Sequence, residues 1–222
     1  IFLPVPTDAP NVLYYTRTKF AEADREGHGM CGRYQFTAEQ SAELQEIVQE
    51  VQRRCGKEAW MPGEIRPSLK APVLVEQQGR VEADLMRWSF QTQKSLMINA
   101  RSESAEGKPL FRDSVQTRRC AIPATGFYEW SADKRKYLFR LPDAQALYLA
   151  GIYEQRQDER RYCILTTKAN ESVRGIHPRM PVVLRREEID GWIMEPGAFR
   201  RMLKKIPPQL LATAEDNQTS LW

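Results

Sequence analysis

The 222-residue sequence lacks the segments that would direct a protein into or across a membrane. No stretch approaches the ~20 consecutive apolar residues that a membrane-spanning helix requires. Its start, IFLPVPTDAPNVLYY, contains three prolines and an early aspartate, Asp8, in place of the basic region and apolar core of a signal peptide. We therefore expect a cytoplasmic protein that binds no membrane.

Cysteine and histidine are also scarce, and neither residue type is clustered. The four cysteines are widely spaced and form no Cys-x-x-Cys pair: Cys31, Cys55, Cys120 and Cys163. Reduced thiols are the simplest assignment for such cysteines in a cytosolic protein. The two histidines, His28 and His177, do not stand at metal-ligand spacing from a cysteine pair. We expect no metal site and no cofactor.

Repeats, low-complexity tracts and signs of a second domain are absent, and 41% hydrophobic residues fit one globular domain. The net charge of +4 permits nucleic-acid binding without establishing it, because a mixed charged surface gives the same balance. Residues 1–29 are loop-like up to Thr16 and then polar and charged. The sequence therefore divides into an N-terminal extension or over-annotated start, residues 1–29, and a domain, residues 30–222.

The domain begins with one helical signal and continues mainly with strands. Apolar residues at helical spacing predict a helix near residues 37–55, with Thr37 as N-cap, Gln40 completing a capping box and Gly56 as the stop. From about residue 72, short runs rich in β-branched and aromatic residues alternate with turns, and REEIDGWI and GAFRRMLKKI resemble short helices. The pattern predicts an α+β domain built on a mostly antiparallel sheet.

Cys31 is the candidate with the most specific chemistry. Within the run MCGRY it could be a buried strand residue, but Met30 precedes it. Removal of an initiator methionine at this position would leave Cys31 with an α-amine and a thiol on adjacent carbons. An α-amine has a pKa of ~8, against ~10.4 for lysine, so more of it is neutral and able to attack an aldehyde. The thiol could then close a stable thiazolidine ring, which favours trapping of an aldehyde such as the ring-opened sugar of an abasic DNA site.

Three further segments carry side chains that could assist this chemistry. In INARSE, Asn99 can hold an amine or oxyanion and Arg101 can grip a phosphate, although a capped turn would also explain the segment. Glu129 stands between two aromatic residues, where desolvation would raise its pKa for acid–base work, unless it is a surface residue of an alternating strand. His177 lies in a Gly/Pro-rigid loop suited to a catalytic group, although a lone histidine is more often structural.

Four motifs occur in order along the chain and together carry a family likeness: MCGRY, INARSE, RRCAIPATGFYEW and IHPRMPVVL. They cover roughly residues 30–184 and strongly resemble the SRAP family, the SOS response-associated peptidases or abasic-site-processing proteins. The resemblance implies a single α+β domain around a barrel-like, mostly antiparallel sheet with a few peripheral helices. It also implies binding to single-stranded DNA, a thiazolidine crosslink between an N-terminal cysteine and an abasic site, and a cysteine-type peptidase activity that can expose that cysteine.

The resemblance also assigns roles to individual residues. Cys31 would be the nucleophile and Asn99 would orient its amine. Glu129 would act as acid and base during sugar ring opening and Schiff-base formation, and His177 would assist proton transfer and crosslink reversal. The expected DNA contacts are Arg33, Arg101, Trp88, Phe90 and Arg118. The expected partner is single-stranded DNA with abasic sites, bound by a monomer that is nucleoid-associated while on the DNA.

The sequence departs from the family pattern in three places outside the catalytic set. Glu64-Ile65-Arg66-Pro67 replaces the usual Asn-x-Ala-Pro motif, which removes an amide and adds charge. The segment 87–93 is short and polar where the family has a Pro- and Trp-rich loop that can wedge between bases. The run TAEDNQTSLW lacks the usual Asn-rich tail. We therefore expect altered base stacking, which is worth ~1–3 kcal/mol per base, and an altered DNA affinity.

The residues ahead of Met30 leave three explanations open, because an internal Cys31 has an amide nitrogen that cannot form an imine. The gene start lies at Met30, which we favour, or the segment is a propeptide cleaved at Met30–Cys31. The third explanation is a tag remnant or a permanent extension that leaves the protein inactive.

Two other functions also stay open. The first is a cysteine peptidase that acts on other proteins in a damage response, with Cys31 and His177 as a thiolate–imidazole pair. The second is a non-catalytic nucleic-acid-binding module whose basic footprint includes Arg112, Arg118 and Arg119. Covalent capture is the better fit, because peptidase action needs no free α-amine while a Met-Cys start supplies one.

Overall fold

Strands are the most abundant regular secondary structure in the described part of the chain. The computed structural model describes residues 31–39, 41–56, 60–92, 95–142, 146–156 and 159–215. The strands in this part are β1 (Arg33–Phe36), β2 (Gly63–Ile65), β3 (Lys70–Gln77), β4 (Arg80–Trp88), β5 (Phe90–Gln91), β6 (Leu96–Met97), β7 (Asn99–Arg101), β8 (Arg119–Ala124), β9 (Gly126–Trp130), β10 (Lys136–Arg140), β11 (Leu147–Arg156), β12 (Glu159–Lys168), β13 (Arg179–Pro181), β14 (Val183–Leu184) and β15 (Leu211–Glu215). The helices are α1 (Ala42–Cys55), α2 (Ser102–Ala105), α3 (Pro109–Thr117), α4 (Ile189–Met194) and α5 (Ala198–Met202).

Five strands form a closed barrel. Around the ring, β12 pairs with β4, β4 with β3, β3 with β8 and β8 with β11, and β11 returns to β12. The β12–β4 pairing is parallel and the other four are antiparallel. Apolar residues on these strands, including Val73, Met86, Ile122 and Ile164, are fully buried. Closure removes the sheet edges and gives the domain a packed central core.

Gly151 in β11 marks the most crowded position of this barrel. It pairs with Cys120 of β8 on one side and with Ile164 of β12 on the other. A Cβ atom at this position would overlap the Ile122 Cδ1 atom and would lie 2.9 Å from the Cys120 Sγ atom. The barrel therefore closes around a residue without a side chain.

A second, five-stranded sheet has the order β15-β10-β9-β1-β2. A single residue, Thr125, separates β8 of the barrel from β9 of this sheet, so the two sheets are joined there. Strand β1 runs antiparallel to β9, with Arg33 opposite Tyr128. This register brings the residues just before β1 alongside the last residues of β9. Cys31 and Glu129 belong to these two groups.

Helix α1 begins later than the sequence pattern predicted. The N-cap is Ser41 instead of Thr37, and the Ser41 hydroxyl accepts a backbone N–H of the first turn at 3.3 Å. The Thr37 hydroxyl instead donates to the hydroxyl of Thr125 at 3.2 Å. Thr37 directly follows β1, so the helix begins only after the chain has left this strand. Gln40 lies outside the described residues. The other end is as predicted, because Gly56 caps the helix with φ +93°, a conformation that favours glycine.

The fold predicted from the sequence is confirmed. A mostly antiparallel, barrel-like sheet dominates, and the two short helices expected late in the chain are present as α4 and α5. None of the helices in the described part has the length and apolar character needed to cross a membrane. The expected division of the chain after residue 29 lies outside the described residues and stays a prediction.

Candidate active site

The start of β1 places the backbone of Cys31 against Glu129. The Cys31 N–H donates to Glu129 Oε1 at 2.7 Å, and both residues are buried. Cys31 has φ +25°, in the left-handed region that residues other than glycine rarely adopt. The contact depends on the β1–β9 register and therefore joins residues that are 98 positions apart in the sequence. The backbone nitrogen of Cys31 is thus the group that the Glu129 carboxyl faces.

Burial controls the ionisation of Glu129, which is 1% exposed. Removal from water raises the pKa of this carboxyl to about 8, although backbone N–H groups of Cys31 and Trp130 donate to the carboxylate and lower it in part. The alternative that Glu129 is a surface residue is therefore wrong. A carboxyl group with this pKa is mostly protonated at neutral pH and can still exchange its proton, as an acid–base group requires.

The thiol of Cys31 is held in its neutral form. Burial, and secondarily the charge of Glu129, raise the pKa of the thiol well above its usual value. Its hydrogen bond within the described residues runs to the Arg33 carbonyl oxygen at 3.9 Å. In that part of the chain no hydrogen bond joins the thiol to His177. This environment differs from that of an activated thiolate, whose pKa is lowered by a neighbouring cation or helix N-terminus.

Asn99 contacts the opposite side of the Cys31 residue. Its Nδ2 donates to the Cys31 carbonyl oxygen at 3.3 Å. Strand β7 positions the asparagine by pairing in parallel with β12, with Asn99 opposite Ile164. The sequence predicted that Asn99 orients the amine, and in the structure its contact is with the carbonyl of the same residue. Asn99 therefore fixes the orientation of the Cys31 backbone.

His177 lies on another side of the Glu129 carboxyl, with Nδ1 3.8 Å from Oε1. The same Nδ1 is 2.9 Å from the carbonyl oxygen and 3.2 Å from the amide nitrogen of Arg179. A protonated Nδ1 donates to the carbonyl oxygen, and an unprotonated Nδ1 accepts from the amide N–H. The loop 169–178 between β12 and β13 holds the histidine, whose backbone N–H donates to the Val173 carbonyl at 3.0 Å. The structure thus brings together the predicted catalytic residues Cys31, Asn99, Glu129 and His177.

Two of the predicted DNA-contacting arginines adjoin these residues along the chain. The Arg33 side chain is 39% exposed, pairs with Glu64 at 3.0 Å and lies over the Trp130 ring, 5.3 Å from its centroid. Arg101 is exposed at the end of β7, two residues after Asn99. Arg101 is thus open to a phosphate, whereas the Arg33 guanidinium is partly exposed and already paired with Glu64.

Arg118 and Arg119 are held by the protein itself. Arg118 is half-buried and donates to the Tyr153 carbonyl oxygen and to the Ser114 hydroxyl, each at 3.3 Å. Arg119 is 4% exposed and donates to backbone carbonyls at the C-terminal ends of α3 and α4, including that of Trp192 at 2.5 Å. A nucleic-acid footprint that includes Arg119 is therefore wrong, because its guanidinium satisfies helix ends inside the domain.

Trp88 and Phe90, expected to stack on bases, are both fully buried. Trp88 stacks on Tyr162 with ring centroids 6.2 Å apart and donates from Nε1 to the Ile98 carbonyl at 3.0 Å. Phe90 packs against Phe111 at 5.9 Å. Either ring would have to leave the core to meet a base, so we do not include these residues in a DNA surface.

Arg179 is the neighbour of the site that the sequence reasoning missed. Its guanidinium binds Glu103 through two contacts, of 2.6 and 2.9 Å, and donates to the Thr166 carbonyl at 2.7 Å. Arg179 lies in the motif IHPRMP and Glu103 in INARSE, so the ion pair ties the two motifs together. Both residues lie within motifs that the sequence identifies, but their pairing depends on the parallel register of β7 and β12.

Proteins named as abasic site processing proteins have similar sequences. The abasic site processing protein YoaM of Bacillus subtilis is 38% identical over 106 residues, which are 44% of this chain and 47% of that protein. The abasic site processing protein YedK of Escherichia coli is 25% identical over 178 residues, covering 75% of this chain and 80% of that protein. The chain thus spans about half the length of the curated Bacillus relatives that it matches.

Solved structures share the fold. A protein from Bacteroides thetaiotaomicron superposes with a TM-score of 0.71 at 20% identity, covering 84% of this chain and 93% of that one. A protein from Bordetella bronchiseptica gives 0.67 at 24% identity, covering 83% and 99%. The sequence pattern of the family described as SOS response associated peptidase (SRAP) matches residues 30–218. Because this span includes nearly all of the domain and all four site residues, the chain belongs to the SRAP family.

Proposed function

We propose that this chain binds single-stranded DNA and captures abasic sites covalently through Cys31 once that residue is N-terminal. The observation that carries the proposal is the 2.7 Å contact between the Cys31 backbone nitrogen and Glu129 Oε1. The nitrogen that would become the α-amine lies beside a buried carboxyl group with a pKa of about 8. The names of the relatives, which are abasic site processing proteins, support the same substrate.

The proposed reaction has two steps and balances without a cofactor. The α-amine of Cys31 adds to the aldehyde carbon of the ring-opened sugar, and loss of one water gives a Schiff base. The thiol then adds across the C=N bond, so that sulfur bonds to carbon and the thiol proton goes to nitrogen. A five-membered thiazolidine results. The ring closure is a net addition of S–H, so it can begin from the neutral thiol that the buried environment favours.

Glu129 has the position and pKa to move the protons of the first step. As an acid it donates to the hydroxyl that leaves the carbinolamine, and as a base it takes the proton of the attacking amine. His177 is 3.8 Å from this carboxyl, and its side chain is 15% exposed, so it can exchange protons between Glu129 and solvent. Asn99 holds the Cys31 carbonyl and thereby limits rotation about the Cα–C bond, which keeps the α-nitrogen on the same Cα directed at Glu129.

Release of the amine is part of the proposal, through self-cleavage of the Met30–Cys31 bond or removal of an initiator methionine. Left-handed backbone conformations destabilise residues other than glycine by about 1–2 kcal/mol. The φ of +25° at Cys31 is defined by the bond to the preceding residue, so hydrolysis of that bond removes this strain. Water would add to the Met30 carbonyl carbon, the C–N bond would break, and Glu129 would protonate the departing nitrogen.

The test starts from protein expressed from Met30, with mass spectrometry confirming an N-terminal Cys31. It is incubated with a single-stranded oligonucleotide that carries one abasic site and analysed on a denaturing gel. We expect an adduct whose mass is that of protein plus DNA less one water. Cys31→Ala should abolish it, and Cys55→Ala, which removes an exposed thiol at the end of α1, should not. Absence of the adduct despite a confirmed N-terminal Cys31 would refute the proposal.

The alternative of a cysteine peptidase acting on other proteins has weaker support. The Cys31 thiol is buried, its pKa is raised, and its hydrogen bond runs to a backbone carbonyl. Cleavage of a protein substrate that is lost in both Cys31→Ala and His177→Ala would favour this alternative. DNA binding that survives both changes, without any adduct from the unaltered protein, would favour a non-catalytic binding module.

A further inference from the structure

Glu64 receives three cationic side chains at once. Its Oε1 lies 3.0 Å from Arg33 Nη1 and 2.9 Å from Arg66 Nε, and its Oε2 lies 2.9 Å from Lys136 Nζ. Lys136 also pairs with Glu215 at 2.9 Å. Three cations and two carboxylates therefore share one cluster, which we call the Glu64 cluster: Arg33, Glu64, Arg66, Lys136 and Glu215.

The Glu64 cluster lies on one face of the five-stranded sheet, together with aromatic rings. Directly opposed residues of paired strands share a face, and the pairs here are Arg33 with Tyr128, Gln35 with Glu64, and Lys136 with Trp130. The Arg33 guanidinium stands 5.3 Å from the Trp130 ring centroid, and Lys136 Nζ stands 3.8 Å from that of Tyr128. Basic groups interleaved with aromatic rings are the usual surface for single-stranded DNA.

Glu64 neutralises the cations of this face. Partial burial alone would raise the pKa of Glu64, but hydrogen bonds from Lys136 and Arg66 and the charge of Arg33 outweigh burial and hold it below its usual value. The carboxylate is therefore ionised at neutral pH. The cluster carries a formal charge of +1 with Glu64 and would carry +2 without it. The Arg33 contact is the important one, because Arg33 stands two residues after Cys31.

We propose that Glu64 competes with DNA for its cationic partners, its carboxylate occupying the place of a DNA phosphate between Arg33 and Arg66. A DNA strand has to displace this carboxylate before its phosphate can bind Arg33. The energetic penalty applies to damaged and undamaged strands alike, but at an abasic site covalent capture makes binding irreversible. Glu64 thereby weakens binding to undamaged single strands, so that more of the protein stays unbound and able to reach abasic sites. This inference rests on the proposed DNA-capturing function.

The test compares undamaged single-stranded oligonucleotide binding by the full chain and by E64Q, using fluorescence anisotropy at several salt concentrations. Each phosphate neutralised on single-stranded DNA adds about 0.7 to the slope of log K against log salt. One additional contact in E64Q therefore predicts a slope steeper by about 0.7, or an about 2.5-fold larger change in affinity between about 50 and 200 mM salt. E64Q should bind more tightly than the unaltered protein at low salt.

Three further variants separate the local contact from net charge. E82Q also removes one carboxylate that pairs with an arginine, Arg54 at 3.1 Å, but it lies on β4 of the barrel and should leave affinity and slope unchanged. E64D keeps the charge and should stay near the unaltered protein. In an R33Q background the increase in DNA affinity caused by E64Q should largely disappear, because Arg33 is the cation that Glu64 keeps from binding a phosphate. Thermal unfolding confirms that each variant is folded.

The outcomes distinguish this inference from the proposed function. If E64Q and E82Q bind equally, or if E64Q binds more weakly than the unaltered protein, the role of Glu64 is refuted even where abasic-site crosslinking is observed. If the N-terminal Cys31 form gives no crosslink, the proposed function fails, and tighter binding by E64Q alone would then describe a DNA-binding surface without capture. If neither the full chain nor E64Q binds the oligonucleotide at any salt concentration, the inference is refuted as well.

Discussion

Replacement of Glu129 by glutamine should stabilise the full chain increasingly as pH rises towards 8, relative to the unaltered protein, and it should also slow DNA capture. The carboxyl is 1% exposed, and its removal from water raises its pKa to about 8. Glutamine has nearly the same shape and keeps an oxygen that can accept the Cys31 N–H, but it never ionises. The substitution therefore isolates the cost of a buried charge from the effects of packing.

The size and sign of the effect follow from the pKa. Between pH 4.5 and about 8 the folded protein holds a proton on Glu129 that the unfolded chain has released. The free energy of unfolding therefore falls as pH rises through this window, by up to about 1.4 kcal/mol per pH unit. Linkage gives a loss of about 1 kcal/mol at pH 5 and about 4 kcal/mol at pH 8. E129Q escapes this loss, so its relative stability should increase by about 3 kcal/mol between pH 5 and pH 8.

Urea unfolding followed by tryptophan fluorescence at pH 5, 6, 7 and 8 measures this difference. E82Q, a variant of a half-exposed glutamate on β4, serves as the control and should run parallel to the unaltered protein. In the N-terminal Cys31 form, E129Q should crosslink about 10²- to 10⁴-fold more slowly, the range for loss of general acid–base catalysis. A constant stability difference between the unaltered protein and E129Q over the whole pH range would show that Glu129 is not a buried ionisable group of this kind.

Two further predictions concern the fold that supports the site. Gly151→Ala should destabilise the barrel by about 1–3 kcal/mol, because its Cβ would overlap Ile122, and chemical denaturation at neutral pH would measure the loss. Arg119→Leu should destabilise by about 3 kcal/mol or more, because carbonyls at the ends of α3 and α4 lose a buried donor. A melting temperature of Arg119→Leu equal to that of the unaltered protein would contradict this role.

The sequence predicts the architecture well where the determining interactions are local. The turn between β3 and β4 is one example, because Gly79 adopts φ +80°, a conformation that glycine permits easily. The Gly56 stop of α1 is another. The start of α1 is different, because Thr37 and Ser41 are equally good caps and only a tertiary contact of Thr37 with Thr125 separates them.

The site was predictable as a set of residues but not as a set of contacts. Four motifs identify Cys31, Asn99, Glu129 and His177, yet none of them reveals that Glu129 faces the nitrogen of Cys31 while Asn99 holds its carbonyl. The burial of Trp88 was hidden for a similar reason. Its neighbours in the sequence are polar, whereas Tyr162, which stacks on it, comes from a strand 74 residues later.

Strand alternation explains how two glutamates on one sheet acquire opposite properties. Glu129 shares a face with Phe127, directed towards the core, and its pKa is raised by burial. Glu64 shares the other face with Arg33, and its pKa is lowered by its cations. Strand β1 runs between them, so the buried Glu129 carboxyl and the Glu64 cluster lie on opposite faces of the sheet, on either side of the residues that follow Cys31. Because the side-chain period of a strand is two, a one-residue slip of β1 would turn Arg33 away from Glu64 and would separate the Cys31 nitrogen from Glu129, so the β1 register holds both contacts in place.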